Sequence, residues 1–217
     1  TDYLGLFSFP VKVSNQDGCM KTVPIIPNIS ASHVEDFGEL ADLLSAEEGV
    51  AALEVNLSCR NRNRSGQRFC QNPVTAARAG SAVKRAAHGK PVIAKLSPQI
   101  MDIVEVARAV EASGADVISC IGKVQGLAVD VKERRAMLGN VTGGMSGPAL
   151  KPLALRCVWQ IAQTVDIPII GVGGACSALD VLEFLLVGAH AVSVGSAVFG
   201  DPELLFRIVR ELPALCE

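Results

Sequence analysis

Apolar positions along the chain fall into short β-branched runs that alternate with stretches of helical spacing. Residues 23–29 predict a short strand, with prolines near its ends and Val23, Ile25, Ile26 and Ile29 filling it. Val34, Phe37, Leu40, Ala41 and Leu44 then follow helical periodicity, and Ser30 or Ser32 is placed to cap that helix. The alternation repeats as a strand over 51–58, a helix over 73–87 with Pro73 in its first turn, and a strand over 91–97. A helix over 102–113 stops at Gly114, and a strand covers 115–121. Beyond an irregular segment at 122–147, the pattern predicts a helix over 152–165, a strand over 168–173, a helix over 178–187, a strand over 191–195 and a closing helix over 202–212. Residues 1–19 carry no such pattern beyond a turn at Ser14-Asn15-Gln16-Asp17-Gly18.

These six β-α units with Val/Ile-rich strands are the mark of an α/β protein with a parallel sheet covered by helices. A (β/α)8 barrel would need two further strands and a doubly wound open sheet would not, so strand count leaves both open. The 122–147 segment is too long for an ordinary connection and is expected to be functional.

Composition narrows the class. With 217 residues, 49% of them hydrophobic and 19% charged, the chain is long enough for one domain spanning 1–217. A net charge of −2 and the lack of a basic stripe argue against nucleic-acid or membrane-surface binding. Apolar runs break before the length of about 18 residues that a membrane helix requires. The 7 cysteines are an odd, scattered set without a Cys-x-x-Cys pair, which speaks against a zinc site or disulfide framework and for reduced, mostly buried thiols in a cytoplasmic protein. Trp159 falls on an amphipathic helix and is expected in the core, and the charged run Asp130, Lys132, Glu133, Arg134, Arg135 is expected in a solvated loop. His33, His88 and His190 have no partner spacing that suggests a Ser-His-Asp constellation.

Candidate chemistry gathers at strand ends. The apolar run from Val50 to Leu57 ends in Ser58, Cys59, Arg60 and Asn61, and in parallel α/β proteins that end holds the active groups. Cys59 is a nucleophile, a proton-transfer base or an inert thiol; Arg60, Arg62 and Arg64 would favour its thiolate, and Asn56 and Asn61 suit a polar ring. Lys95 interrupts an apolar strand, either to stabilise negative charge on a ligand or to snorkel to solvent from the strand end. Two late strands end in Gly171-Val172-Gly173-Gly174 and Val194-Gly195-Ser196-Ala197. Such ends either admit a phosphate to backbone N–H groups or merely make tight turns; two in succession favour phosphate, with Gly174, Gly195 and Ser196 as its candidates.

Taken together, Asn56-Leu57-Ser58-Cys59-Arg60-Asn61, Ala94-Lys95-Leu96-Ser97-Pro98, Gly114-Ala115-Asp116, Gly126-Leu127-Ala128-Val129-Asp130, Gly143-Gly144-Met145-Ser146-Gly147-Pro148-Ala149 and the two glycine-rich ends resemble, in order, the catalytic subunit of class 1B dihydroorotate dehydrogenases. The resemblance implies a TIM-type (β/α)8 barrel holding FMN at its mouth. It places Cys59 as the base at C5 of dihydroorotate while hydride passes from C6 to the flavin. It makes Asn28, Asn56, Lys95, Ile121 and Gly147 flavin contacts and Gly173, Gly174, Gly195 and Ser196 the phosphate cradle. Asn56 and Asn61 face the substrate, no metal is bound in this chain, and any iron–sulfur cluster and FAD belong to a partner electron-transfer subunit. A homodimer or heterotetramer is implied.

The chain also departs from that family. About two strands of the barrel would precede residue 1, so the sequence reads as the C-terminal three quarters of the barrel. Gly122 and Lys123 stand where the family has an Asn-Thr substrate pair, Arg60 replaces a proline, and Cys70 stands where glycine is common. These changes leave two alternatives to dihydroorotate oxidation: an FMN oxidoreductase acting on another dihydropyrimidine, or a non-catalytic barrel piece.

Overall fold

The computed structural model describes residues 12–14, 20–58, 69–100 and 102–216, with side chains from residue 23 onward. Its central sheet has six strands in the order β3 (Asn28–Ile29), β4 (Leu53–Asn56), β5 (Val92–Leu96), β6 (Val117–Cys120), β11 (Ile169–Val172) and β12 (Ala191–Ser193). The β3–β4, β6–β11 and β11–β12 ladders are parallel. Strand order follows chain order without reversal, whereas a doubly wound sheet reverses at its switch point. The open choice between the two architectures is thereby decided for the singly wound arrangement of a barrel.

The chain divides into two compact units, one of Thr1–Ala94 with Ala109–Val117, the other of Lys95–Arg108 with Ile118–Glu217. In the first, β1 (Lys12–Ser14) and β2 (Met20–Thr22) form a small antiparallel ladder. The strand expected over 23–29 shrinks to Asn28–Ile29 plus an isolated bridge between Ile25 and Val50, because Pro24 and Pro27 have no N–H to give to a ladder. Helix α1 (Val34–Ser45) is capped by neither Ser30 nor Ser32 but by His33, whose N–H donates to the Asp36 carboxylate. Helix α2 (Pro73–Ala86) starts as expected, its cap Asn72 accepting from the Thr75 N–H at 3.2 Å. Phe37 of α1 meets Phe69 edge to face at 5.2 Å, a contact worth about 1 kcal/mol beyond burial. Asp116 accepts from the Val92 N–H at 2.7 Å and from Lys84 at 2.6 Å, pinning the start of β5. The Gly114-Ala115-Asp116 stretch is therefore a structural tie.

In the second unit, α3 (Ile103–Ala112, shared with the first) leads towards β6. Residues 122–147 are two nested antiparallel ladders, β7 (Val124–Leu127) with β10 (Thr142–Met145) and β8 (Val129–Asp130) with β9 (Arg135–Ala136). The sequence reads as irregular there because Gly126, Gly143 and Gly144 remove the alternation that marks a strand. Helix α4 (Lys151–Ala162) turns Ala154, Cys157, Val158 and Ile161 inward, which leaves Trp159 54% exposed; the expectation that it lies in the core is corrected. Helix α5 (Ala178–Leu186) lies close over β11, since a Cβ on Gly171 would stand 2.5 Å from the Phe184 ring. A four-residue α6 (Ala197–Gly200) precedes α7 (Leu204–Leu215), which starts two residues later than expected and runs through Pro213. Leu204 and Ile208 of α7 pack on Ala178 and Val181 of α5.

Among the described cysteines, Cys70, Cys120 and Cys157 are buried and Cys176 and Cys216 are exposed, so burial is less general than expected. Burial pushes the Cys120 thiol well above its ordinary value, and the neighbouring Cys157 adds to the effect. No helix of the described residues is long and apolar enough to cross a membrane.

Candidate functional site

In the second unit, residues at or just past the ends of β5, β6, β10, β11 and β12 converge on one cavity of about 660 Å³. Its wall contains Lys95, Ile121, Gly122, Lys123, Ser146, Gly147, Pro148, Leu150, Val172, Gly173, Gly174, Ala175, Cys176, Gly195, Ser196 and Ala197. The volume suits a small organic ligand. Segments as far apart as 95 and 196 supply it, which is the pattern of a site built on strand ends and the loops that follow them.

Each group is placed by its element. Val92, Ile93, Ala94 and Leu96 anchor β5 in the core and carry Lys95 between them, half-buried, its Nζ donating to Ser119 Oγ at 3.2 Å. A fixed cation in such a wall favours a ligand that bears or develops negative charge. Gly173 and Gly174 both have positive φ, +127° and +81°. At Gly174 space is also decisive, because a Cβ would come within 2.8 Å of Lys151 N and 2.9 Å of Gly147 O. Gly195 lines the cavity, and no atom stands within 4 Å of where a Cβ would be there. Ser196 precedes α6 without a side-chain cap bond. Backbone amides released by glycine, together with a hydroxyl, can cradle a phosphate.

Seven of the nine residues expected to bind cofactor line this cavity, and so do Gly122 and Lys123. The other two, Asn28 and Asn56, lie in the first unit on the β3–β4 ladder, where Asn28 is opposite Glu54. There Asn56 Nδ2 donates to Asn28 Oδ1 at 2.8 Å, Ser58 Oγ donates to Asn56 Oδ1 at 2.9 Å, and Asn28 Nδ2 donates to the Glu54 carboxylate. The amides are thus preset, each with donor and acceptor capacity remaining for a ligand. Cys59 and Asn61 lie outside the described residues.

Sequence reasoning missed several groups. Ser146, Pro148 and Cys176 line the cavity, and Lys151 and Asp180 stand behind its glycine loop. Asp180 had one signal, its place three residues after the cap Ser177. Glu54 had another, as a carboxylate inside an apolar strand two positions from Asn56. Burial by itself would raise the Asp180 pKa, yet hydrogen bonds from Lys151, from the Cys176 N–H and thiol, and with Ser177 outweigh it and hold the carboxyl far below the usual range. The Cys176 thiol is pushed up, first by its hydrogen bond to Asp180 and then by burial.

A second cavity, of about 710 Å³, lies on the helices of the first unit beside Glu35, Arg78 and Arg85, and holds none of the expected residues. Among the described residues no cluster of His, Cys, Asp and Glu is suited to a metal ion.

Comparison with known proteins gives the family. The model of the dihydroorotate dehydrogenase family matches residues 9–216. The chain is 54% identical over 195 residues to the dihydroorotate dehydrogenase B (NAD(+)) catalytic subunit of Solidesulfovibrio magneticus, covering 90% of this chain and 64% of that protein. It is 50% identical over 197 residues to the same-named subunit of Maridesulfovibrio salexigens, covering 91% and 65%. For Halalkalibacterium halodurans the figures are 50% over 191 residues, covering 88% and 62%. The chain therefore spans a little under two thirds of the length of these relatives. With its six parallel strands laid out in barrel order, the chain belongs to the dihydroorotate dehydrogenase family, whose fold is a TIM-type (β/α)8 barrel.

Proposed function

We propose that this chain carries the FMN-binding catalytic barrel of a class 1B dihydroorotate dehydrogenase and oxidises dihydroorotate to orotate in de novo pyrimidine (UMP) biosynthesis. The observation that carries the reading is the single cavity that gathers Lys95, Ile121, Gly147, Gly173, Gly174, Gly195 and Ser196 from distant segments. The donor set fits a phosphorylated flavin. A side chain at Gly174 would strike backbone atoms, so only a glycine leaves that loop close enough for its amides to serve an anion. When bound, FMN supplies the acceptor for the hydride that leaves C6 of the substrate.

The chain's own residues do the rest. The 173–174 and 195–196 backbones and the Ser196 hydroxyl bind the phosphate. Lys95 holds positive charge where the pyrimidine edge of the ring would gain electron density, and Ile121 and Gly147 contact it through their backbones. Asn28 and Asn56 orient the ring system, and Asn56 with Asn61 grips the substrate's amide edges. Cys59 takes the proton from C5, its thiolate favoured by Arg60, Arg62 and Arg64. Lys123 in the cavity wall, beside Gly122, favours a ring that carries a carboxylate over an uncharged dihydropyrimidine. The relatives' name, catalytic subunit of an NAD(+) enzyme, supports electron delivery to NAD through a separate iron–sulfur and FAD subunit. The chain would act as a homodimer or in a heterotetramer with that subunit, in the cytoplasm.

The test is anaerobic. Protein loaded with FMN should lose its flavin absorbance on addition of dihydroorotate, and the Cys59→Ala variant should keep its flavin without losing that colour. Flavin that stays oxidised with dihydroorotate but bleaches with dihydrouracil would overturn the substrate assignment. Unchanged bleaching in Cys59→Ala would overturn the role of the thiol.

A further inference from the structure

The glycine loop of the cavity is fixed from behind by an ion pair, Lys151–Asp180, whose residues do not themselves line the cavity. Asp180 is 7% exposed, in the first turn of α5, and both of its oxygens are engaged. Oδ1 accepts from Lys151 Nζ at 2.6 Å. Oδ2 accepts from the Cys176 N–H at 2.9 Å and from the Cys176 thiol at 3.2 Å. Lys151 opens α4 and also reaches Glu183 at 2.9 Å. Its backbone is in turn the wall against Gly174, where a Cβ would come within 2.8 Å of Lys151 N. The 173–176 loop is thus clamped between the first residues of two helices, with one carboxylate tying both sides.

We propose that Lys151 and Asp180 are positioning residues of the phosphate cradle, holding the loop whose N–H groups receive the FMN phosphate; this rests on the FMN reading above. The charges have a definite logic. A bare carboxylate behind an anion site would repel the ligand, and Lys151 cancels it at hydrogen-bond distance. The Cys176 thiol donates a hydrogen bond to Asp180 and keeps its proton, so it adds no negative charge of its own. Removing Asp180 frees the loop; removing Lys151 alone frees it and also exposes the phosphate to an unpaired buried carboxylate.

The test compares FMN with riboflavin, which has the same ring and ribityl chain but no phosphate. Dissociation constants for both are measured by quenching of flavin fluorescence in wild type, Asp180→Asn, Lys151→Gln, the double variant and Lys151→Arg, with circular dichroism to confirm folding. Wild type should prefer FMN. In Asp180→Asn the FMN affinity should fall about tenfold or more while riboflavin affinity holds within about twofold, since only the phosphate reads the loop. Lys151→Gln should lose more preference, the double variant should return to the level of Asp180→Asn, and Lys151→Arg should restore most of it. If Asp180→Asn does not fold, the double variant carries the same prediction. A preference for FMN that survives intact in Asp180→Asn or the double variant overturns the proposal. Wild-type protein that binds neither flavin overturns the FMN reading, and this proposal with it.

Discussion

Gly174 concentrates what the site demands of a single residue. Its φ of +81° is a conformation that residues with a Cβ adopt only under strain, and the space that a Cβ would fill is already taken by Lys151 N and Gly147 O. Gly174→Ala therefore meets two penalties at once, together on the order of 1–3 kcal/mol. The expected result is a thermal midpoint lowered by several degrees and FMN binding weakened more than about tenfold. An alanine variant with wild-type FMN affinity would show that the loop does not set the cradle. Gly171, three residues earlier, plays a different part, making room for the Phe184 ring rather than for a ligand. The sequence run Gly171-Val172-Gly173-Gly174 shows all three glycines alike; the Phe184 ring against Gly171 and the positive φ of Gly173 and Gly174 separate them only in the structure.

Among the elements, the start of α4 and the start of α5 are joined by the Lys151–Asp180 pair, and that pair has a pH signature. The Asp180 carboxyl is held below its ordinary value of 3.8, so its contribution to stability is present above that pH and fades as pH falls through the folded-state value. Lys151 is raised above its ordinary 10.5 by its bonds to Asp180 and Glu183, so the same bridge is lost only as pH rises past the folded-state value. In urea unfolding, the stability gap between wild type and Asp180→Asn should stay level from about pH 5 to 10 and close below about pH 4. A gap that widens in acid would contradict the assignment. The pair itself was illegible in the sequence, since the two residues are 29 positions apart and nothing local marks them as partners. Elements bounded by proline or glycine, such as α2 after Asn72-Pro73 and α3 before Gly114, were legible because the boundary chemistry lies in adjacent residues. The nested ladders over 122–147 were not, because strands containing Gly126, Gly143 and Gly144 are held by backbone pairing that leaves no trace in hydrophobic period. Trp159 misled for a related reason: it sits beside the inward row of Ala154, Cys157, Val158 and Ile161, and one helical step carries it out of that row.

Across the whole molecule, the order of strands is what makes distant sequence converge. Each β-α unit returns the chain to the next position in a parallel sheet, so Lys95, Ile121, Gly173 and Gly195, spread over a hundred residues, become neighbours on one cavity wall without any local motif linking them. The family match over residues 9–216 and the chain-order succession of the six strands point to the same barrel, and the chain spans a little under two thirds of its relatives' length. The central claim is that this cavity is an FMN site with its phosphate at the ends of β11 and β12. The most direct measurement is the position of the phosphorus atom in a crystal structure of the protein soaked with FMN. The account predicts that the phosphate lies within hydrogen-bond distance of the Gly174 and Ser196 backbone N–H groups, with the flavin ring towards Lys95. A phosphate bound beside Arg78 and Arg85 in the helix-side cavity, or a flavin turned so that its ring occupies the glycine loop, would contradict it.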